Sequence, residues 1–486
     1  MTRSERLWCA AAFTVIAAWN LLRWHTAERV ALDDAWISFR YARHLIEGAG
    51  FVYNVEDGPL EGFTNLAWVL LTALAMKLGA APLLFTRTLG LVSHLAVVAF
   101  ILARGFRGKA VARGAAVVLA AIPGVTHGLL GLAGSGLETS FAALLIVLLA
   151  ECLDRSDVLP AALVSVLLCA TRPDGALFVG AFVLVLFTVS RGRALRIGAL
   201  VALGFLGLVA FRWFTFHALV PNTYFAKSAH LAQWAAGWAY WGGFAQSEPG
   251  VVLLALALPF TWKQPSTRFV ALCLGLYVIY VAKVGGDFME YRFAFEVIPL
   301  LAWGLSRAAD ERPRLTLGIA VSALALAALP PRMENAFGMN TIDEMNELVE
   351  DGLEIGAKLR EVLPPDTRIS TALAGTLPYE FGGFTVDEWG LNDAAIAHQP
   401  DVPITFRGHV KLASNEYLKS RGVNLRLAHP RQCRCDAGCP GDWPQVYVRL
   451  DELRCVQTRY LVPTPRLTRL FCTDPRFIVT HVDCAD

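Results

Sequence analysis

Short polar clusters break an otherwise apolar chain, and they hold the residue types that a proton transfer beside an anion requires. Asp33-Asp34 comes first. It is followed by Glu61-Gly-Phe-Thr-Asn65, Ser135-Gly-Leu-Glu138-Thr, Arg172-Pro-Asp174-Gly, Pro221-Asn222-Thr-Tyr224-Phe-Ala-Lys227 and Gly286-Asp287-Phe-Met-Glu-Tyr-Arg292. A carboxylate beside a hydroxyl can act as general base. Arg and Lys can hold a phosphate and stabilise the charge it gains on leaving. Arg172, Lys227 and Arg292 are the candidates for that task, with Glu61, Glu138 and Asp287 shaping the pocket. Two adjacent aspartates do not both ionise cheaply without a cation between them. Either one of Asp33 and Asp34 is the base and the other orients it, or the pair holds a divalent ion; the residue types leave both open. Each cluster also has a plainer reading. An Asp pair caps a helix, Arg172-Pro-Asp174 closes a turn with a local ion pair, and Lys227 and Arg292 reach toward lipid headgroups.

The elements that must position these groups are membrane helices. Of 486 residues, 55% are hydrophobic and 17% charged, with net charge +2 and mean hydropathy +0.47. An ordinary soluble domain is about 25% charged. The composition excludes a disordered chain, a collagen or coiled-coil rod and an ordinary cytosolic enzyme. The charge balance excludes a nucleic-acid binder. Basic loops at 104–113, 191–196, 263–268 and 307–314, with Arg3 and Arg6, are expected on the cytoplasmic side. That placement predicts about eleven spans, at residues 7–24, 88–103, 113–130, 137–153, 158–171, 174–190, 197–216, 245–262, 268–284, 293–306 and 315–330. The N-terminus is then cytoplasmic, and all the polar clusters fall on the outer face of what is expected to be a bacterial cytoplasmic membrane. A signal-peptide reading of the first span lacks a small-x-small cleavage site before Asp33.

Residues 25–87 do not follow the spanning pattern. Ile37, Tyr41 and Leu45 recur every fourth residue, with Arg40, Arg43 and Glu47 on the other side, which predicts an interfacial helix lying on the membrane surface. A second interfacial stretch is expected over 63–78. After Pro330 the chain becomes polar and turn-rich, so a transmembrane domain at 1–330 and an extracytoplasmic α/β domain at 331–486 are expected. Six cysteines crowd that domain from about 433: Cys433, Cys435, Cys439, Cys455, Cys472 and Cys484. They predict up to three disulfides on an oxidising side. A zinc reading of Cys433, Cys435 and Cys439 lacks the paired CxxC spacing.

Asp33-Asp34-Ala-Trp-Ile-Ser-Phe-Arg40-Tyr41-Ala-Arg43 and the five later clusters resemble the GT-C fold glycosyltransferases. They are most similar to the terminal arabinofuranosyltransferase type of actinobacterial cell-wall synthesis. The resemblance runs over about 30–410 and takes in Asp387-Glu-Trp-Gly-Leu-Asn392-Asp393 and Arg407-Gly-His409; the cysteine-rich end departs from it. It implies an enzyme that takes a sugar, arabinofuranose in that type, from a polyprenyl-phosphate donor and passes it to a cell-envelope glycan or glycolipid. It implies a first-loop aspartate as base, which falls on Asp33 or Asp34. It adds Arg40, Tyr41, Asn65, Asp174, Asn222 and Tyr224 to the donor-binding set, and Asp387, Asn392, Asp393 and His409 as acceptor-binding residues. Two other classes fit an outer-face polar cavity: a lipid or glycan transporter or flippase, and a non-catalytic glycan-binding assembly protein. A transporter predicts midplane polar groups and repeated halves, and the chain shows no such repeat.

Overall fold

The computed structural model describes all residues except 28–29, 127, 156, 229–230, 263, 330–339, 404–406, 431, 436–444 and 485–486. Apolar runs bounded by prolines, glycines and basic turns become helices. In chain order these are α1 (Arg3–Ala27), α2 (Asp33–Ile46), α3 (Leu66–Lys77), α4 (Pro82–Gly105), α5 (Ala110–Val125), α6 (Leu129–Ala133), α7 (Thr139–Glu151), α8 (Val158–Thr171) and α9 (Gly175–Val189). They continue as α10 (Arg191–Phe216), α11 (Asn222–Ala226), α12 (Trp234–Ser247), α13 (Pro249–Ala257), α14 (Pro265–Val284), α15 (Arg292–Phe295), α16 (Ile298–Ala308) and α17 (Pro313–Ala327). Pro82, Pro249, Pro265 and Pro313 each open a helix, where the missing N–H has no intrahelical partner to lose.

The chain is a multi-pass membrane protein. Among the described residues α1, α4, α10 and α14 are long and apolar enough to cross a bilayer. α3, α5, α7, α8, α9 and α17 are apolar but run only 12 to 16 residues. At about 1.5 Å per residue they fall short of a bilayer core of about 30 Å. The outward surface of α10 fits lipid: Leu195, Leu203, Leu206, Trp213 and Phe214 are exposed, while Ala194, Ile197 and Arg212 are buried. At the other extreme every residue of α16 is buried, and its Trp303 packs in one core with Phe182 of α9 and Phe269 of α14.

Three expected spans are not continuous; 113–130 runs past the end of α5 at Val125 into α6 at Leu129. Residues 245–262 hold the end of α12 and then α13, and the two helices are bent by 100°. Pro249 is the cause, because it has no N–H and disfavours helical backbone at Glu248, whose φ is −124°. The 293–306 stretch is divided between α15 and the buried 11-residue α16.

All strands among the described residues lie in the C-terminal domain. Its elements are α18 (Ile342–Val362), β1 (Ile369–Thr371), α19 (Thr376–Phe381), β2 (Thr385–Asp387), α20 (Ala394–Ala397), α21 (Asn415–Ser420), β3 (Leu425–Arg426), β4 (Gln432–Arg434), β5 (Gln445–Arg449), β6 (Arg454–Tyr460), α22 (Pro465–Thr473) and β7 (Phe477–Thr480). The sheet order is β2-β1-β3-β6-β5-β7, with β4 also on β6. β1 is parallel to β2 and β3, and the other pairs are antiparallel, so the domain is α/β as expected. A capping box starts α18: Glu344 N–H donates to Thr341 Oγ1 (3.2 Å) and Thr341 N–H to Glu344 Oε2 (2.8 Å). Cys435–Cys455 and Cys472–Cys484 are disulfide-bonded, which removes Cys435 from the zinc alternative. Cys439 lies outside the described residues.

The first-loop helix departs from expectation in its surroundings. α2 takes in Ile37, Tyr41 and Leu45 as predicted, yet Trp36 to Ala42 are all buried. Its apolar side packs with Tyr53, Phe63 and Val69, while its Arg40 and Arg43 side docks on α19 instead of facing water. The polar stripe anticipated a wet partner and found the backbone of the C-terminal domain.

Candidate active site

The start of α2 separates two neighbouring carboxylates. Asp33 points into the C-terminal domain, where Oδ2 accepts from Gly375 N–H (2.8 Å) and Oδ1 from Thr376 N–H (2.7 Å) and Thr376 Oγ1 (2.6 Å). Gly375 permits this approach, because a Cβ there would lie 1.9 Å from the Asp33 carbonyl oxygen. Burial pushes the Asp33 carboxyl up to about 6 against the pull of those donors. Asp34, one residue on, faces a cavity of about 410 Å³ between the membrane helices and the C-terminal domain. Its side chain is 28% exposed, and the nearest cation is Arg292 Nη1 at 4.0 Å.

That cavity brings together Asp34, Asn65, Glu138, Arg172, Asp174, Tyr224, Lys227, Asp287 and Arg292 from the first loop and four later clusters. Lys227 follows α11, and its ammonium makes no hydrogen bond or ion pair among the described residues. Burial pulls its ammonium below the usual value, and Asp34 acts in the opposite direction. Arg292 Nε lies 3.5 Å from Asp287 Oδ2. Arg407 also lines the space, anchored by Nη1 to the carbonyls of Ala236 (2.7 Å) and Gly285 (2.6 Å).

Arg172 is differently placed from a ready phosphate ligand. It pairs with Asp174 through Nε (3.0 Å) and Nη2 (2.9 Å), with Glu138 through Nη1 (3.2 Å), and with Glu296 at 2.8 Å. Three carboxylates surround one guanidinium, so the cluster carries no spare positive charge. Asn65 Nδ2 donates to the same Glu138 (2.9 Å), tying the first loop to α7 and α8.

The remaining expected site residues are held at the domain junction. Arg40 donates to the carbonyls of Tyr53 (2.8 Å), Gly383 (2.9 Å) and Pro378. Tyr41 donates to Asn392 Oδ1 (3.1 Å), and Asn222 to the carbonyls of Gly390 and Leu391 (2.9 Å each). Glu61 is clasped by Arg212 Nε at 2.9 and 3.1 Å. Asp387 accepts from Trp389 N–H (3.0 Å), Asn392 N–H (2.9 Å) and Asn392 Nδ2 (3.1 Å), and burial pushes its carboxyl up to about 7. Asp393 caps α20 and accepts from the Tyr417 hydroxyl at 2.7 Å. The His409 ring packs between Phe288 and Trp389 with centroids 4.8 Å from each, and burial pulls it down to about 4. Arg40, Tyr41, Glu61, Asn222, Asp387, Asn392, Asp393 and His409 stand outside the cavity lining, whereas Arg212 is part of it. Arg212 and Glu296 were missed in the sequence. Their signal was an ionisable residue inside an apolar run, which at membrane depth calls for a partner.

The Asp pair does not offer two carboxylates to one metal ion, because the Asp33 oxygens already accept N–H and O–H donors. No group of three or more His, Cys, Asp or Glu side chains among the described residues comes together as ligands.

The fold is that of GT-C glycosyltransferase structures. The crystal structure of ArnT from Cupriavidus metallidurans bound to undecaprenyl phosphate superposes with a TM-score of 0.51, at 12% identity, over 94% of this chain and 99% of that one. The apo structure gives 0.52 at 12% identity, over 95% and 100%. In sequence, the terminal beta-(1->2)-arabinofuranosyltransferase of Mycobacterium tuberculosis (strain ATCC 25618 / H37Rv) is 28% identical over 276 residues. That match covers 52% of this chain and 43% of the relative, so the chain spans less than half of that protein's length. Residues 340–469 match a family described as a domain of unknown function, DUF8728. The resemblance carried by the polar motifs is therefore borne out in both fold and sequence.

Proposed function

We propose that the protein is a membrane glycosyltransferase that moves a sugar from a polyprenyl-phosphate donor to a cell-envelope glycan or glycolipid. One observation carries this: a single cavity at the domain junction holds Asp34, a carboxylate with no hydrogen-bond donor among the described residues, together with Lys227, Arg292 and Arg407. Asp34 takes the proton of the acceptor hydroxyl, whose oxygen then bonds to the anomeric carbon. The bond from that carbon to the phosphate oxygen breaks, and Lys227, Arg292 and Arg407 stabilise the charge left on the lipid phosphate. Asp33 holds α2 in place for this step.

The lipid chain enters where the cavity meets α10, since Phe205 lines it and is itself exposed on the lipid-facing side. The undecaprenyl phosphate in the ArnT structure supports a polyprenyl donor, and the name of the Mycobacterium relative supports arabinofuranose as its sugar. We read the chain as about eleven membrane passages at 1–330, with shorter helices completing the four long ones. Residues 331–486 form an outer domain, where the two disulfides fit an oxidising side. The test is transfer from a panel of lipid-phosphate sugars by the purified protein and by Asp34→Asn. A new glycosidic bond formed equally well by the variant removes the proposed base. Movement of sugar lipid with no bond formed makes the protein a transporter.

A further inference from the structure

One wall of the cavity requires hydrogen-bond donors from whatever fills it. Asp287 is only 5% exposed and lines the space, yet among the described residues neither carboxylate oxygen accepts a hydrogen bond. The closest donors fall short. Arg292 Nε remains 3.5 Å from Oδ2, and the Tyr240 hydroxyl packs near it without meeting hydrogen-bond geometry.

The backbone around Asp287 is unusual over a short length. Gly285 and Gly286 have φ of 89° and 81°, and Glu290 and Tyr291 follow at 41° and 61°. A Cβ at Gly286 would lie 2.4 Å from the Tyr240 ring, so only glycine fits there. Non-glycine residues in the left-handed region are strained, and such strain collects at ligand sites.

A buried acceptor without a donor is destabilising, and a charged one more so. A ligand that brings donors recovers that loss. A phosphate diester cannot, because it carries only acceptors and a negative charge at neutral pH. Two neighbouring sugar hydroxyls can, each donating to one carboxylate oxygen.

We propose that Asp287 binds a vicinal pair of sugar hydroxyls, and so holds the sugar at its own wall and turns the phosphate away from it. This rests on the lipid-phosphate sugar reading above and adds which wall of the cavity reads the sugar. The hydroxyls come from the donor's ring or from the acceptor's terminal sugar, and the two sources separate kinetically.

The experiment compares wild type with Asp287→Asn in two binding titrations on the purified full chain, with undecaprenyl phosphate and with polyprenyl-phosphate arabinofuranose. Transfer kinetics are measured alongside. Undecaprenyl phosphate should bind the variant at least as tightly as wild type, since a repelling charge is gone. If the donor ring supplies the hydroxyls, the sugar-bearing lipid should bind the variant about tenfold more weakly. A donor lacking one ring hydroxyl should then lose about as much on wild type and little further on the variant, which keeps the test independent of the variant's folding. If the acceptor supplies them, the loss appears as a raised KM for acceptor alone. Equal loss of both lipids would make Asp287 a support of the phosphate site and overturn the proposal. So would unchanged binding with both KM values unchanged. If wild type binds neither lipid, the lipid-phosphate reading fails first and the Asp287 assignment falls with it.

Discussion

Polar residues at the domain junction and polar residues in the cavity come from the same sequence motifs, yet they differ in one physical respect. At the junction, Asp33, Arg40 and Asp387 have their charged atoms matched by backbone and side-chain partners. In the cavity, Asp34 and Asp287 lack hydrogen-bond donors, and Lys227 has no partner within ion-pair distance among the described residues. Burying a polar group is tolerable when its partners come with it. A group left short of partners beside an open volume is kept for a ligand. Asp33 and Asp34 make the contrast at a separation of one residue.

The largest expected effect comes from exchanging the roles of that pair. Asp34→Asn should cut transfer of labelled sugar on the order of 10²–10⁴-fold while leaving thermal unfolding in detergent unchanged. Asp33→Asn should do the reverse, lowering the unfolding midpoint and reducing transfer only as far as α2 loses its docking. An Asp33 variant that is inactive but fully stable would erase the distinction. Next in size is Arg40→Ala, which strips buried carbonyls on both sides of the junction of their charged donor. A stability loss on the order of 3 kcal/mol is expected, read by denaturant unfolding. Lys227→Ala, which removes a cation without protein partners, should leave stability nearly unchanged and raise KM for the lipid donor.

How far the sequence led also follows this contrast. The clusters could be gathered because a charge next to an apolar span needs a reason, and residues from the first loop and four later clusters do meet in one cavity. The strand-bearing C-terminal region falls where the sequence becomes polar and turn-rich. What stayed hidden was direction. Adjacent positions at a helix start point to different sides, and nothing local shows that the start of α19, more than 300 residues away, will donate to Asp33. The Arg40 stripe read as a water-facing surface because amphipathic periodicity reports polarity and is silent about which polar partner arrives. Over 245–262 hydropathy averages across the break imposed by Pro249, so two helices bent by 100° read as one straight span. Arg172 looked like a phosphate ligand until Glu138, Asp174 and Glu296 surrounded it; of these, only Asp174 is close to it in sequence.

A smaller effect tests whether the junction is packed as tightly as its hydrogen bonds indicate. Gly375→Ala places a methyl group 1.9 Å from the Asp33 carbonyl oxygen and 2.8 Å from Oδ2, both too close to keep. α19 must withdraw from α2, at about 1–3 kcal/mol. Asp34 stays chemically intact, so the loss of transfer should track the loss of docking and be partly restored at lower temperature. Gly382→Ala, at the other end of α19, meets no atom within 4 Å and bears only its left-handed backbone, φ 76°. It should cost less, about 1 kcal/mol, and leave transfer near wild type. Equal losses in the two variants would mean that the approach at Gly375 is not what joins the domains.

The smallest effect is in pH. Asp33 and Asp387 have carboxyls raised by burial from an ordinary 3.8 to about 6 and about 7. An acid whose folded pKa lies above its unfolded value holds its proton more tightly when folded. Its contribution to stability is complete below the unfolded pKa and is lost as pH rises through the folded one. The unfolding midpoint should therefore decline between about pH 4 and pH 7.5, with part of the decline coming from each residue. Asp387→Asn should flatten the upper part of that slope and Asp33→Asn the lower part, whereas Asp34→Asn should leave its shape alone. A midpoint that climbs over the same interval would mean that the donors around both carboxylates outweigh burial, and that the junction is bound by charged carboxylates instead of strained by them.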